Sequence, residues 1–343
     1  MTPMSQWRAG TVQAWLEVVM AMPMYIRTCS ENVKSGRVLL GLTDEDLELG
    51  LGVSSVMHRR KLRLAIEDYR DAENGKELSK AADLDHHWVA KAWLSDIGLP
   101  QYSQAFHTHL VDGRLLSSLT RRDLERYLNI TKKSHQASLL LGIELLHLLH
   151  FDKEELQARR IQCEHLNVDP LVWTSHRVVK WVRDIDLKEF ADSLLHSGVH
   201  GAVLVLDHAF NTDSMATALG IPSNKHMVRR HLDEELKTLL DSARVDAKKD
   251  YEHLGLGSPL KLFRQNSLGR PPSANSRHTE DEGSLRRRAV KPPTGFSPKN
   301  RNGRDLSCHN NYGSLPREVR DHTPPRADGS PVQRYSSSEI TNV

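Results

Sequence analysis

Trp93-Leu94, Leu99-Pro100-Gln101-Tyr102, Gly113, Leu115-Leu116, Leu119-Thr120-Arg121-Arg122-Asp123-Leu124, Ile130 and His135 mark the stretch from Trp88 to Leu149, and the chain carries this order three times. Upstream it reads Trp15-Leu16, Met22-Pro23-Met24-Tyr25, Gly36, Leu39-Leu40, Leu42-Thr43-Asp44-Glu45-Asp46-Leu47, Val53 and His58. Downstream it reads Trp181-Val182, Leu187-Lys188-Glu189-Phe190, Gly201, Val203-Leu204, Leu206-Asp207, Ile221 and His226. The inner Trp and the His are separated by 43, 42 and 45 residues, and a Val or Ile stands five residues before each His. That many landmarks in register define a tandem array of one small unit.

The local pattern of each unit is helical. Thr11 to Leu16 spaces its apolar residues as a helix does, and Pro23 ends that helix or starts the next. Thr43 with Asp46, and Thr120 with Asp123, have the form of a capping box with a short carboxylate. Ser54 or Ser55, and Ser134, are candidate N-caps for a final long helix that stops in unit one at Asn74-Gly75. Four short helices and one long one per unit follow. After unit two no Gly or Pro intervenes before Asp169-Pro170, so the helix from Ser134 is expected to run on to about Asn167, a span of ~50 Å. His58, His135 and His226 are expected at one structural position, in the first turn of the last helix. Trp15, Trp93 and Trp181 are assigned to the unit cores.

Three units of ~65 residues and a tail account for the 343 residues. The expected organisation is unit one over 7–74, unit two over 84–150, a helical linker over 151–169, unit three over 170–245, and a disordered basic tail over 255–343. From Gly255 onward there are 15 Lys and Arg against 8 Asp and Glu, and ten of the 15 prolines. The first 254 residues carry 32 basic against 36 acidic residues and are net acidic. Such a tail has too little apolar surface to offset its chain entropy. No apolar run approaches the ~20 residues that span a bilayer, and Met1 to Gly10 lacks the pattern of a secretory signal. Cys29, Cys163 and Cys308 stand far apart, which suits a reducing, cytoplasmic setting.

The chain has no motif of an enzyme. Gly-x-Ser-x-Gly, His-Glu-x-x-His and phosphate-loop patterns are absent, and Gly50-Leu51-Gly52 lacks a third glycine and a preceding strand. Metal ligation suggests itself at His86-His87, His107/His109 and His147/His150, but none has Cys or carboxylate partners at a known spacing. No catalytic residue, cofactor or metal is therefore expected.

The Trp-Leu start, the Leu-Pro-x-Tyr turn, Gly-x-x-Leu-Leu, Leu-Thr-x-x-Asp-Leu, and Gly-Val or Asn-Ile before a His-led helix resemble the sterile alpha motif (SAM). Three in a row, with Asn32-Val33-Lys34-Ser35-Gly36 in the first and Ser197-Gly198-Val199-His200-Gly201 in the third, resemble the kazrin/liprin-like family. The resemblance covers residues 7 to 245. It implies an all-α fold, three tandem five-helix SAM-type bundles followed by a disordered tail, and a scaffold or adaptor at cell junctions or the cytoskeleton. Nuclear presence is a second implied location. Liprin-type proteins carry a coiled coil ahead of these units, so the chain reads as a short form without it. Unit three departs from the pattern at Asp186-Leu187 and at Leu206-Asp207-His208-Ala209-Phe210, which lacks the Thr cap.

SAM units associate when one unit's acidic middle segment meets another's basic end helix. In unit one these places hold Asp44, Glu45, Asp46 and Glu48, and His58, Arg59, Arg60, Lys61 and Arg63. The expected partners are SAM or liprin-like proteins and junction or cytoskeletal proteins, with self-association of the chain. The middle of unit two (Arg121, Arg122, Arg126) has the opposite sign, which argues against polymerisation through every unit. RNA binding is the rival reading, through Lys132-Lys133 with His135 or through Arg229-Arg230, but the folded part is net acidic and only 6% of the chain is aromatic. In the tail, Thr341 and Val343 form the C-terminal pattern that a PDZ groove accepts, and Ser267 after Arg264 is a candidate phosphorylation site.

Overall fold

The computed structural model describes residues 2–253. The basic tail, with Ser267, Thr341 and Val343, lies outside the described residues. Unit one opens with a 3-10 turn at Met4–Gln6. It continues through α1 (Ala9–Ala14), which widens into a π turn over Trp15–Val19, then α2 (Ile26–Asn32), α3 (Gly36–Leu40), a π turn at Asp46–Gly50, and α4 (Val56–Glu73). Unit two opens with a 3-10 turn at Lys80–Asp83, then a π turn over Trp88–Trp93 leading into α5 (Leu94–Asp96). It goes on with α6 (Ser103–Thr108), α7 (Gly113–Ser117), α8 (Arg121–Arg126) and α9 (Lys133–Leu148). A connecting helix, α10 (Lys153–Cys163), leads to the 3-10 turn Pro170–Val172 of unit three. There follow α11 (Ser175–Asp184), α12 (Lys188–Ala191), α13 (Gly201–Leu206), α14 (Thr212–Ala218) and α15 (His226–His253). Among the described residues there is no β-strand, only an isolated bridge between Arg8 and Ser35, and no helix long and apolar enough to cross a membrane.

The repeated landmarks are backbone constraints. Each opening 3-10 turn lies directly over a glycine: a Cβ on Gly36 would sit 1.7 Å from the Met4 carbonyl oxygen, on Gly113 2.3 Å from that of Ala81, and on Gly201 2.0 Å from that of Pro170. The glycine N–H then donates to the strap, to Trp7, Leu84 and Trp173 oxygens at 2.9, 2.7 and 2.9 Å. Gly52, Asn129 and Gly220 have φ of 70°, 54° and 70°, the left-handed region that Gly and Asn enter at least cost. The next N–H returns to close the preceding helix, from Val53, Ile130 and Ile221 to Leu47, Leu124 and Ala216 oxygens at 3.0, 2.8 and 2.8 Å.

The capping boxes form at both predicted places: Thr43 and Asp46 exchange bonds of 2.8 and 3.1 Å, and Thr120 and Asp123 bonds of 3.0 and 3.3 Å. Unit three replaces the Thr with Asn211, whose side chain accepts from the Ser214 N–H at 3.0 Å. Ser55 caps α4, but Ser134 does not cap α9; it lies inside the first turn, and Lys132 takes the cap position with no side-chain bond.

The expected helix from Ser134 to Asn167 is broken. The chain turns at His150 and Phe151, both left-handed with φ of 50° and 59°, and restarts at Asp152, whose carboxylate accepts from the Glu154 and Glu155 N–H groups at 3.0 Å. The break lets Phe151 and Leu156 both enter the core, which a straight helix would not. Arg160 then ties α10 to both neighbours, to Asp96 of unit two at 2.5 Å and to the Val172 oxygen of unit three at 3.1 Å. The connector is a packed element rather than a free spacer.

Trp15, Trp93 and Trp181 are buried at the matching place in each unit. The cores differ in extent. Unit one has its own, around Trp15, Leu47 and Leu62, whereas the cores of units two and three run together as one continuous apolar interior.

Candidate protein-interaction site

The charged residues singled out in unit one come together, and the basic ones, Arg63 apart, face inward. Arg59 reaches back to the Val53 oxygen at 2.7 Å and lies 3.5 and 3.1 Å from Asp44 and Glu48 of its own unit. Arg63 lies 3.8 Å from Asp44 and 3.7 Å from Glu67. His58 Nδ1 meets the Tyr25 hydroxyl at 2.9 Å, and burial holds its imidazole below the usual value. His135 and Tyr102 repeat the pair at 2.8 Å.

Arg60 and Lys61 leave unit one for unit two. The Arg60 guanidinium donates to both Asp123 oxygens, at 2.8 and 3.0 Å, and this bond raises the Arg60 pKa. Burial pulls the Lys61 ammonium below its usual range, while Asp112, 3.6 Å away, opposes the shift. Arg114 of α7 reaches back to Asp68 of α4 at 2.7 Å. Two apolar side chains cross as well: Met57 joins the core of unit two, and Leu110 joins that of unit one. The basic end helix of unit one is therefore seated on the middle of unit two, inside one chain.

The second junction uses the same elements with different chemistry. α9 packs on α13 as α4 packs on α7. Ser138, which matches Lys61, donates to the Gly198 oxygen at 2.6 Å, and its own carbonyl bonds His200 Nε2 at 3.0 Å. His200 matches Asp112: each stands immediately before the strap-bound glycine. Burial pushes the His200 imidazole down to about 4, so it is neutral in the folded chain. Leu145 and Ala202 stand where Asp68 and Arg114 form an ion pair, and both are buried. Sequence reasoning missed Asp68, Asp112, Arg114, Ser138 and His200, because partners across a junction are 46 to 63 residues apart.

Two SAM domain (Sterile alpha motif) family profiles match the chain, one over residues 5–70 and 83–147, the other over 170–239. The chain belongs to the SAM family. It is 62% identical over 341 residues to Kazrin-A of Danio rerio, spanning 99% of this chain and 42% of that protein. It is 57% identical to Kazrin of Homo sapiens, spanning 100% and 43%, and 36% identical to Liprin-alpha-1 of Homo sapiens, spanning 78% and 23%. This is a kazrin/liprin-like SAM protein, and the chain spans less than half the length of these relatives.

Two SAM faces stay open. On unit one Asp44, Glu45, Asp46 and Glu48 are all exposed, with Leu49 beside them. Asp46 matches Asp123, carries the same capping box, and has no junction arginine bound to it. The Thr43 bonds hold its carboxylate below the usual range.

On SAM unit three the expected equivalence of His226 with His58 fails. Arg229 makes the bond to the Ile221 oxygen, at 3.1 Å, that Arg59 makes to Val53 and Gln136 to Ile130. The loop before α15 is two residues longer, so Val228 takes the His58 position and His226 is the exposed first residue of the helix. The matching stretches are Met57-His58-Arg59-Arg60 and Met227-Val228-Arg229-Arg230. Met227 is 76% exposed and the Arg230 side chain 73%, whereas Met57 and Arg60 are engaged in unit two. Of the residues that the RNA-binding alternative needs, His135 is buried and Arg229 is paired with Asp213 at 2.9 Å, leaving Lys132, Lys133 and Arg230 exposed.

Proposed function

We propose that the chain is a non-enzymatic adaptor that binds other proteins through its SAM array, and that its end faces join head to tail with a second copy or a SAM-type partner. The observation that carries this is the match between the occupied and open faces. Inside the chain, Met57 and Arg60 of one end helix dock on Asp123 and the core of the next unit. At the far end Met227 and Arg230 are solvent-facing, and at the near end the exposed Asp46 repeats Asp123. The other junction-one pairs have no charged counterpart between copies. Ser35 and Arg37 stand where Asp112 and Arg114 do, while His231 and Thr238 replace Lys61 and Asp68. The contact between copies is therefore weaker than the internal one and sensitive to salt.

The acidic set Asp44, Glu45, Asp46 and Glu48 is the receiving surface. In the basic set only Arg63 keeps substantial exposure, so His58, Arg59, Arg60 and Lys61 serve the chain's own assembly. We assign the action of the adaptor to cell junctions or the cytoskeleton, with the nucleus as a second location, as the family resemblance implies.

Sedimentation velocity of the full chain tests this. Concentration-dependent association is expected at low salt, lost in Arg230→Glu and weakened in Asp46→Asn, which keeps an oxygen for the Thr43 cap. A monomer at every concentration at low salt, or association indifferent to both substitutions, overturns the head-to-tail contact.

A further inference from the structure

His86 and His87 open the first helical turn of unit two, behind Asp85, whose Oδ1 accepts the Trp88 N–H at 2.7 Å. His107 stands near the end of α6, twenty residues later in the chain. The fold brings the three rings together. His86 and His87 lie 4.0 Å apart between ring centroids, and His107 lies 5.4 and 5.3 Å from them. One nitrogen of each falls within 4.8 Å of the others, the only such group of three ligand-type side chains among the described residues.

We propose that His86, His87 and His107 form a binding site for a divalent first-row transition ion, zinc in particular. Three imidazoles with open remaining positions are a donor set that zinc accepts, at metal–nitrogen distances of about 2.0–2.1 Å. Nitrogens around a tetrahedral ion stand about 3.3 Å apart at that bond length, so the rings must close inward by about 1 Å or a little more. The burial of the three side chains suits this movement. His86 is buried and fixed, His107 is half-buried, and His87 is exposed and free to rotate about its side-chain bonds. Burial also keeps the His86 ring neutral, as a ligand must be. The Lys61 ammonium opposes a cation at His86 but is paired with Asp112 at 3.6 Å, and the Asp85 carboxylate acts in the favourable sense.

The location gives the ion a structural consequence. α6 ends at Thr108, and two residues on Leu110 enters the core of unit one. An ion that joins His107 to the helical turn before Trp88 pins the segment that carries the first junction.

The test is calorimetric titration of the full chain with zinc chloride in a buffer free of chelators. One equivalent is expected to bind saturably, with affinity reduced at least about tenfold in His107→Ala and in His87→Ala, neither of which opens a hole in the core. His226→Ala, at an exposed histidine far from the cluster, should leave that equivalent in place. Cobalt substitution supplies a second readout, a visible absorption of low-coordinate cobalt that both cluster variants lose. Absence of saturable binding, or one equivalent retained in both cluster variants, overturns the site.

Discussion

The two junctions of this molecule are built from corresponding elements and held by opposite chemistry. Between units one and two, Arg60–Asp123, Lys61–Asp112 and Arg114–Asp68 cross a boundary that separates two apolar cores, with Met57 and Leu110 exchanged over it. Between units two and three the apolar interior is continuous, and Ser138, His200 and Gln101 reach main-chain partners across it. Apolar burial tolerates no water and makes neighbours fold together. Ion pairs across a boundary permit each side to keep its own stability. One repeat thus yields a rigid pair and a more independent first unit.

The largest effect expected from this contrast is on cooperativity. Trp93→Ala should cost about 3–5 kcal/mol, enough to unfold unit two and to carry unit three with it through their common core. Trp15→Ala, of similar local cost, should unfold unit one alone. Hydrogen exchange resolved along the chain separates these outcomes. Protection retained in α11 and α13 when Trp93 is removed would mean that the continuous core does not couple the two units.

Much of the fold was legible in the sequence because the landmarks are positions where the backbone leaves little choice. Gly36, Gly113 and Gly201 cannot carry a side chain under the strap, and Gly52, Asn129 and Gly220 take left-handed turns. The straps themselves were hidden, since Met4–Gln6, Lys80–Asp83 and Pro170–Val172 share no residue pattern. The break at His150-Phe151 was hidden too. No Gly or Pro marks it, and it is decided by the burial of Phe151 and Leu156 together with the Asp152 cap. The charge clusters of unit one were visible, but not their destination. Local spacing says which residues share a helix face, and says nothing of the Asp123 that Arg60 meets 63 residues on.

A smaller effect distinguishes the junctions by pH. His200 has its ordinary value near 6.5 when unfolded and about 4 when folded, so between those values the unfolded chain binds a proton that the folded chain refuses. The second junction is fully stable above about pH 6.5 and loses up to about 3 kcal/mol as the pH falls toward 4. Asp123 behaves oppositely. Burial alone would raise its pKa, but bonds from Arg60 and Thr120 prevail and hold it below the usual carboxylate value. Its contribution therefore persists through that window and fades only below it. His200→Asn removes the titration and places at the start of α13 a side chain able to cap it, which the native imidazole, bonded to the Ser138 oxygen, does not do. Urea denaturation at pH 7 and pH 4.5 should show a smaller loss in the variant than in the native chain. Equal losses would place the acid sensitivity at other histidines.

The smallest effect concerns salt. Arg60 is about one-fifth exposed and Asp123 almost fully covered, so their bidentate contact is partly screened by water and further weakened by ions. A double-mutant cycle with Arg60→Ala and Asp123→Asn isolates the pair, because the Asn retains an oxygen for the Thr120 cap and each change removes one charge. The coupling should be on the order of 1 kcal/mol at low salt and fall toward half that in molar sodium chloride. A coupling that ignores salt would mean the contact is effectively buried, and the first junction would then resemble the second in rigidity. A coupling near zero would leave the junction to Lys61–Asp112, Arg114–Asp68 and the exchanged Met57 and Leu110. The open Arg230 and Asp46 faces would then need apolar contact through Met227, more than charge, to bring two copies together.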